Sequence, residues 1–474
     1  AVSRMMCDTE IGGRLCYSVR AFSEFHHMSA LNVNGRAVHL SYSTNVHPAE
    51  SSDELIAMLR RDVAPISRKA FGPGVAAVNL RLGIRQVDEL LSHPALPSNS
   101  FVSDDILKAP PSPTCEKFLE ELDTLKLDVV SINGFPIRDF HAPRVKEQVY
   151  SPPWTDGGRA LYSLKIAKVL THFMARKGVE RLVAPVSVPS GVFKGLYGDA
   201  EDVKIQCAHF MTECVRELHR LERLTGRTVQ LGIEPEPMTT GESCDEFLSY
   251  FKIILAEARQ KFPLQLGISR EMAEEITRRF VTINLDLCHQ AVEFEDPTED
   301  LKKLHAAGVV LSGLHLSAAL KLKDPATNTD GLARLKGLDE PRYLHQIVAR
   351  RADGSLDRFE DLPDLWNERK LKGRKLSDFN ELRCHFHVPL FADFGRDGGL
   401  SSTRDTVGPA ARYALKEGLT DNFVAETYTW GVLSALAEKG NAGARTVIEE
   451  NGKADIHAGI VKELQWAKEE LGAK

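Results

Sequence analysis

Eight runs rich in β-branched and aliphatic residues recur along the chain, separated by charged stretches with helical periodicity. The first four are VHLSYSTNV from Val38, VAAVNLRL from Val75, LDVVSING from Leu127 and RLVAPVSVP from Arg181. VQLGIEP from Val229, VTINLDL from Val281, VVLSGLHLS from Val309 and FVAETYTW from Phe423 follow. Between them, VKIQCAHFMTECVRELHRLERLTG sets apolar residues at i, i+3 and i+4 with Glu and Arg opposite, as a helix covering a core does. Strands alternating with such helices predict βαβ units and a parallel sheet. The near-continuous apolar strands, with no G-x-G-x-x-G turn after the first, point to an α/β fold of the closed type, a (β/α)8 TIM barrel.

Two segments depart from this rhythm. Residues from about Lys321 to Glu381 are polar and rich in Arg, Lys and Asp, and read as a long insertion before the last strand, on the loop side of the barrel. Residues 1–27 show no periodicity and are expected to form an N-terminal extension outside the fold, leaving 28–474 for the barrel. Arg4, Arg14 and Arg20 suit a transit peptide, whereas Asp8, Glu10 and Glu24 do not.

Composition then excludes whole classes of function. With 43% hydrophobic and 27% charged residues in 474, the chain is an ordinary globular protein and neither a rod nor a disordered tail. A net charge of −6 with mixed signs argues against a nucleic-acid partner. No apolar run is long enough for a membrane span. The eight cysteines form no C-x-x-C pair, which excludes a thiolate zinc site and a disulfide framework. A reducing compartment such as the cytoplasm is expected. An organelle, plastid or mitochondrion, is the alternative if residues before Met28 are a targeting segment. A homo-oligomer is left open.

The chemistry sits where strands end, because barrels build their sites from the C-terminal ends of several strands. VQLGIEPEP ends on Glu234, VTINLDLCH on Asp286 and His289, VVLSGLHLS on His315, and FVAETYTW on Glu426. Each terminates an apolar run, where an unpaired charge costs several kcal/mol. A shared divalent cation makes sense of all four, and the oxygen-rich donor set suits Mn²⁺, Mg²⁺, Co²⁺ or Zn²⁺. His289 is either a further ligand or a hydrogen-bonding partner of substrate. His385 and His387 in RCHFHVPLF fall on one face of a strand, as ligands or merely as its polar side. Asn45 and His47 in TNVHPAE can reach the mouth, although a turn before a helix explains that motif equally well. Asn133, Ser187, Ser190 and Lys194 are candidate substrate contacts at loop ends. Trp154 and Trp430 offer an apolar wall for substrate or belong to the core.

The succession IEPEP, LDLCH, a His on the next strand and AETYTW resembles the xylose-isomerase-like barrel superfamily of sugar isomerases, ketose epimerases and AP endonucleases. Within it, HLSYSTNVHPAE, LDLCHQAVEFED, LSAAL and HFHVPLF resemble the EboE-type metabolite traffic proteins. The likeness implies that Glu234, Asp286, His315 and Glu426 bind a divalent metal, with Glu234 and Glu426 as opposed acid and base. Ketose epimerases carry an H-x-H on the strand that here reads GLHL, so the histidine ligand is open between His315 and His387. Three functions compete. A metal-dependent isomerase or epimerase acting on a small hydroxy-carbonyl, sugar-like metabolite leads. A multi-zinc hydrolase like the endonucleases, with His289, His385 and His387 holding extra metal, is second. A metabolite carrier without catalysis is third.

Overall fold

The aliphatic runs become strands in the computed structural model, which describes residues 29–91, 107–179, 181–392, 399–438 and 455–473. The expected extension, residues 1–27, lies outside them. Along the chain the strands are β1 (Leu31–Val33), β2 (Arg36–Tyr42), β3 (Ala76–Arg81), β4 (Leu127–Asn133) and β5 (Val183–Pro189). Then come β6 (Thr228–Glu234), β7 (Val281–Asp286), β8 (Leu311–Leu316), β9 (Leu320–Lys323) and β10 (Ile347–Arg351). The last are β11 (Leu356–Phe359), β12 (Phe379–Cys384), β13 (Ser401–Ser402) and β14 (Asn422–Ala425).

A nine-stranded sheet runs in the order β1-β2-β14-β8-β7-β6-β5-β4-β3. Every pairing is parallel except β1 with β2, where the turn at Asn34–Gly35 folds the chain back on itself. The sheet curls: just past β2, Ser43 forms an isolated parallel bridge with Asn79 of β3, and Arg81 N donates to Thr44 Oγ1 at 2.8 Å. All residues of β3, β4, β7 and β8 are buried, because helices cover the outer face of the sheet. These helices start and stop on local signals. Ser51 and Glu54 form a capping box ahead of Ser52–Met58, and Glu201–Thr225 stops at Gly226, whose φ of 69° suits a residue without Cβ.

The polar excursion does not remain loop. Its strands form a second, antiparallel sheet in the order β11-β10-β12-β9-β13. That sheet reaches past the expected limit at Glu381, because β12 continues to Cys384 and β13 pairs with β9 at Lys321 and Leu320. Charge fixes it to the loops of the first sheet. On β11, Arg358 meets Glu242 at 3.0 Å, and its Nε donates to Glu293 Oε2 at 3.1 Å. Lys194 in turn meets Glu242 at 3.1 Å and Glu246 at 2.8 Å. The loops that follow β5, β6 and β7 are thereby pinned under the second sheet.

Candidate metal centre

Register brings the strand-end residues together. Asp286, the last residue of β7, pairs with His315 of β8, and the Glu426 amide, one step past β14, donates to Leu316 O at 3.1 Å. Glu234 closes β6 on the other side of β7. Glu234, Asp286, His315 and Glu426 are all buried, and each puts one donor atom within 4.8 Å of those of the other three.

Each side chain is anchored on one side, and three of the four carry an unpartnered atom on the other. Asp286 Oδ1 accepts from the His289 amide at 3.0 Å, capping the helix Leu287–Val292, and from Ser317 Oγ at 2.8 Å. Glu426 Oε1 accepts from Asn45 at 2.7 Å and Asn133 at 3.3 Å. Glu234 Oε2 accepts from Asn284 Nδ2 at 3.1 Å, and the same amide lies 3.1 Å from His315 Nε2. Asp286 Oδ2, His315 Nδ1 and Glu426 Oε2 make no hydrogen bond. His315 Nδ1 nevertheless abuts Glu426 Oε2 and lies 3.6 Å from Glu234 Oε1 and 3.7 Å from Asp286 Oδ2. Buried polar atoms are rarely left unpaired, and these three orphans converge on one point. A divalent cation fits that point, held by three carboxylates and one imidazole.

Electrostatics agree. Burial opposes charge on His315, but the Glu426 and Glu234 carboxylates override it and raise the imidazole well above its ordinary pKa. Burial also pushes Asp286 up, yet His289, His387 and His315 hold it well below the carboxylate range. Glu426 is likewise lowered, burial being outweighed by His315. A cation taken up at this point would compete with the proton on His315 for the same lone pair.

A second group adjoins the first. His385 and His387 follow β12 and turn inward with ring centroids 5.2 Å apart, and His289 lies 4.6 Å from the His385 ring. Each Nδ1 faces an oxygen that can only accept: Pro235 O at 2.9 Å from His289, Gln346 Oε1 at 2.8 Å from His385, and Glu426 O at 2.7 Å from His387. Those bonds place the proton on Nδ1 and leave a lone pair on every Nε2. His289 Nε2 and His385 Nε2 then confront each other at 3.2 Å, and His387 Nε2 has no partner. Either a shared proton or a second cation relieves that contact. Glu236 completes the group 3.3 Å from His385 Nδ1, pushed up to about 7 by burial although Tyr150 donates to it at 2.6 Å and Gln346 at 3.1 Å.

Both groups border one pocket. Glu234 and Glu426 line it, as do Asn45, Asn133, His289, His385 and His387, while Asp286 and His315 lie beneath. Other expected contacts are elsewhere. His47 bonds the Tyr42 hydroxyl at 3.0 Å, and burial lowers its pKa to about 4. Lys194 belongs to the ion pairs described above. Trp430 is buried and donates to Glu463 at 2.9 Å, and Trp154 donates to Pro189 O at 2.8 Å. Sequence reasoning passed over Glu236, although its spacing of two from Glu234 in IEPEP puts both carboxyls on one side of an extended chain. Asn284, Tyr150 and Gln346 gave no signal, being ordinary residues in a strand or a loop.

No family model matches the chain, and no curated protein matches it. Among solved structures it is similar to the probable 3-DHS dehydratase AsbF of Bacillus anthracis, involved in petrobactin synthesis. The identity is 12% over 59% of this chain and 73% of that one, with a TM-score of 0.33. An L-ribulose 3-epimerase matches at 13% identity over 59% and 69%, with a TM-score of 0.33. The apo 3-keto-D-glucoside 4-epimerase YcjR of E. coli matches at 13% over 59% and 79%, with a TM-score of 0.32.

Proposed function

We propose that this protein is a divalent-metal-dependent isomerase or epimerase, built on a closed (β/α)8 barrel with residues 320–402 inserted before the last strand. Glu234, Asp286, His315 and Glu426 hold the cation, and its substrate is a small hydroxy-carbonyl compound. One observation carries the reading: of the four, only the two glutamates open onto the pocket, while Asp286 and His315 lie below them. A cation bound there supplies positive charge against which negative charge on substrate oxygens can develop. Glu234 or Glu426 takes the proton from the carbon beside the carbonyl, and the other glutamate returns one to that carbon or its neighbour. Asn45 and Asn133 hold Glu426 in place by donating to its Oε1. A panel of sugars and hydroxyketones assayed for solvent deuterium uptake at carbon tests this. Exchange by the metal-loaded protein, lost in Glu234→Gln and Glu426→Gln with an unchanged circular dichroism spectrum, is the expected result. Full exchange in either variant overturns the acid–base assignment.

The imidazole group favours a second reading, a hydrolase with more than one cation. The three Nε2 lone pairs of His289, His385 and His387 supply a further nitrogen-rich site beside the first. Two or three zinc ions per chain with cleavage of an abasic-site duplex would establish it; one cation and no cleavage would dismiss it. The EboE-type resemblance bears on the pathway, traffic of a secondary metabolite, and leaves either chemistry open.

A further inference from the structure

Eight of the eighteen residues lining the pocket are the carboxylates, amides and imidazoles already described, and five more are aromatic. Phe140 lies 4.8 Å from Tyr343 and 5.5 Å from Tyr428, and Tyr428 lies 4.7 Å from the His387 ring. Phe135 and Tyr150 form a second group 5.8 Å apart. Two of the tyrosine hydroxyls are committed elsewhere, Tyr150 to Glu236 and Tyr343 to Phe140 O at 3.1 Å. What Phe135, Phe140, Tyr150 and Tyr343 offer a ligand is therefore ring faces and edges.

Positive charge is scarce. Among the described lining residues Lys146 is the one Lys or Arg, and its Nζ is bound to Asp361 at 2.6 Å and to Glu340 O at 3.2 Å. Arg342 is outside the lining, its guanidinium 5.9 Å from the Tyr343 ring. Glu234, Glu236 and Glu426 meanwhile line the same space. A phosphate or carboxylate on the far end of a substrate would be desolvated here without a counter-charge, facing carboxylates.

We infer that the pocket takes a hydroxy-carbonyl compound whose remainder is an uncharged ring, aromatic or alicyclic, and that it rejects sugar phosphates and sugar acids. This rests on the proposed reading, in which the hydroxy-carbonyl end lies at the four-residue centre. Contact with two aromatic side chains is worth on the order of tenfold in affinity.

The test is a ligand-observed NMR titration of the full chain, with and without Mn²⁺ replaced by diamagnetic Mg²⁺, using matched probes. 2-Hydroxyacetophenone and hydroxyacetone share the reactive end and differ in the ring; dihydroxyacetone and its phosphate differ in charge. The expected result is at least tenfold tighter binding of 2-hydroxyacetophenone than of hydroxyacetone. Most of that preference disappears in Phe140→Leu, which keeps apolar bulk, while hydroxyacetone binding is unchanged. Dihydroxyacetone phosphate binds more weakly than dihydroxyacetone. A phosphate that binds as tightly as its parent, or equal affinity with and without the ring, overturns the inference. So does a failure of every probe to bind. A ring preference in which neither probe binds more tightly with Mg²⁺ than without it upholds the inference and counts against the metal reading, so the two fail separately.

Discussion

Glu234→Gln is the perturbation in which stability and function pull apart. Without a cation, Glu234 repels two carboxylates and attracts one protonated imidazole, all buried. At an effective dielectric of about 20, two like charges separated by the 4.8 Å that bounds this cluster cost about 3 to 4 kcal/mol. Attraction to His315 at 3.6 Å returns about 4 to 5 kcal/mol, so two repulsions against one attraction leave Glu234 a net burden of about 2 kcal/mol. Glutamine keeps an oxygen for the Asn284 amide and removes the charge. The metal-free variant should therefore melt above the wild type, by about 2 °C for a chain of this size. With cation at a hundredfold excess over Kd the wild type gains about 2.7 kcal/mol and the variant, lacking a ligand charge, gains little. Differential scanning calorimetry in EDTA and then in Mn²⁺ should show the two melting temperatures exchanging order. A variant that melts lower in EDTA and responds to Mn²⁺ as the wild type does would refute the reasoning, since the cluster would then be neither strained by its own charge nor a cation site.

Three further outcomes follow from the same geometry. Glu463 is buried and accepts from Thr427 at 2.6 Å, Trp430 at 2.9 Å and the Leu390 amide at 3.2 Å, and burial pushes it up to about 7. A folded-state pKa above the unfolded one gives stability that is full below about pH 4.5 and is lost as pH rises through about 7, here on the order of 3 kcal/mol. Urea midpoints at pH 5 and pH 8 should accordingly fall in the wild type and stay closer together in Glu463→Gln; parallel behaviour would contradict this. Arg358→Ala leaves Glu293 and Glu242 buried without their guanidinium and should cost about 3 kcal/mol. Amide exchange should then quicken in β10 and β11 before it does in β6 and β7, and uniform quickening would disprove the clamp. Cation binding should release a proton from His315, seen as acidification of weakly buffered protein on adding Mn²⁺; no release would mean that the imidazole is not a ligand.

The strands were legible because a strand buried on both faces needs little beyond an unbroken aliphatic run, as VTINLD and LSGLHL show. Polar residues ending those runs were legible for the complementary reason: a charge at the end of an apolar strand demands a partner. The second sheet was not. LKLK, IVARR and FNELRC are short and half polar, and they pair with one another across some sixty residues, so no local period marks them. For the same reason Tyr343, which lines the pocket, and Gln346, which bonds Glu236 and His385, carried no signal. Lys194 and Trp430 were plausible from position alone, but a lysine among three acids and a tryptophan with a buried glutamate for its Nε1 have partners that only tertiary structure supplies.

The central claim is that Glu234, Asp286, His315 and Glu426 surround a cation. Its most direct test is elemental analysis of the untagged protein, prepared without chelators, beside Asp286→Ala. The account predicts one equivalent of a divalent metal held at this centre and lost in Asp286→Ala, with any second equivalent surviving until His289, His385 or His387 is changed. Protein that binds no divalent metal, even after dialysis against Mn²⁺, Co²⁺ and Zn²⁺ in turn, would contradict it and leave the converging acids as a site for ligand alone.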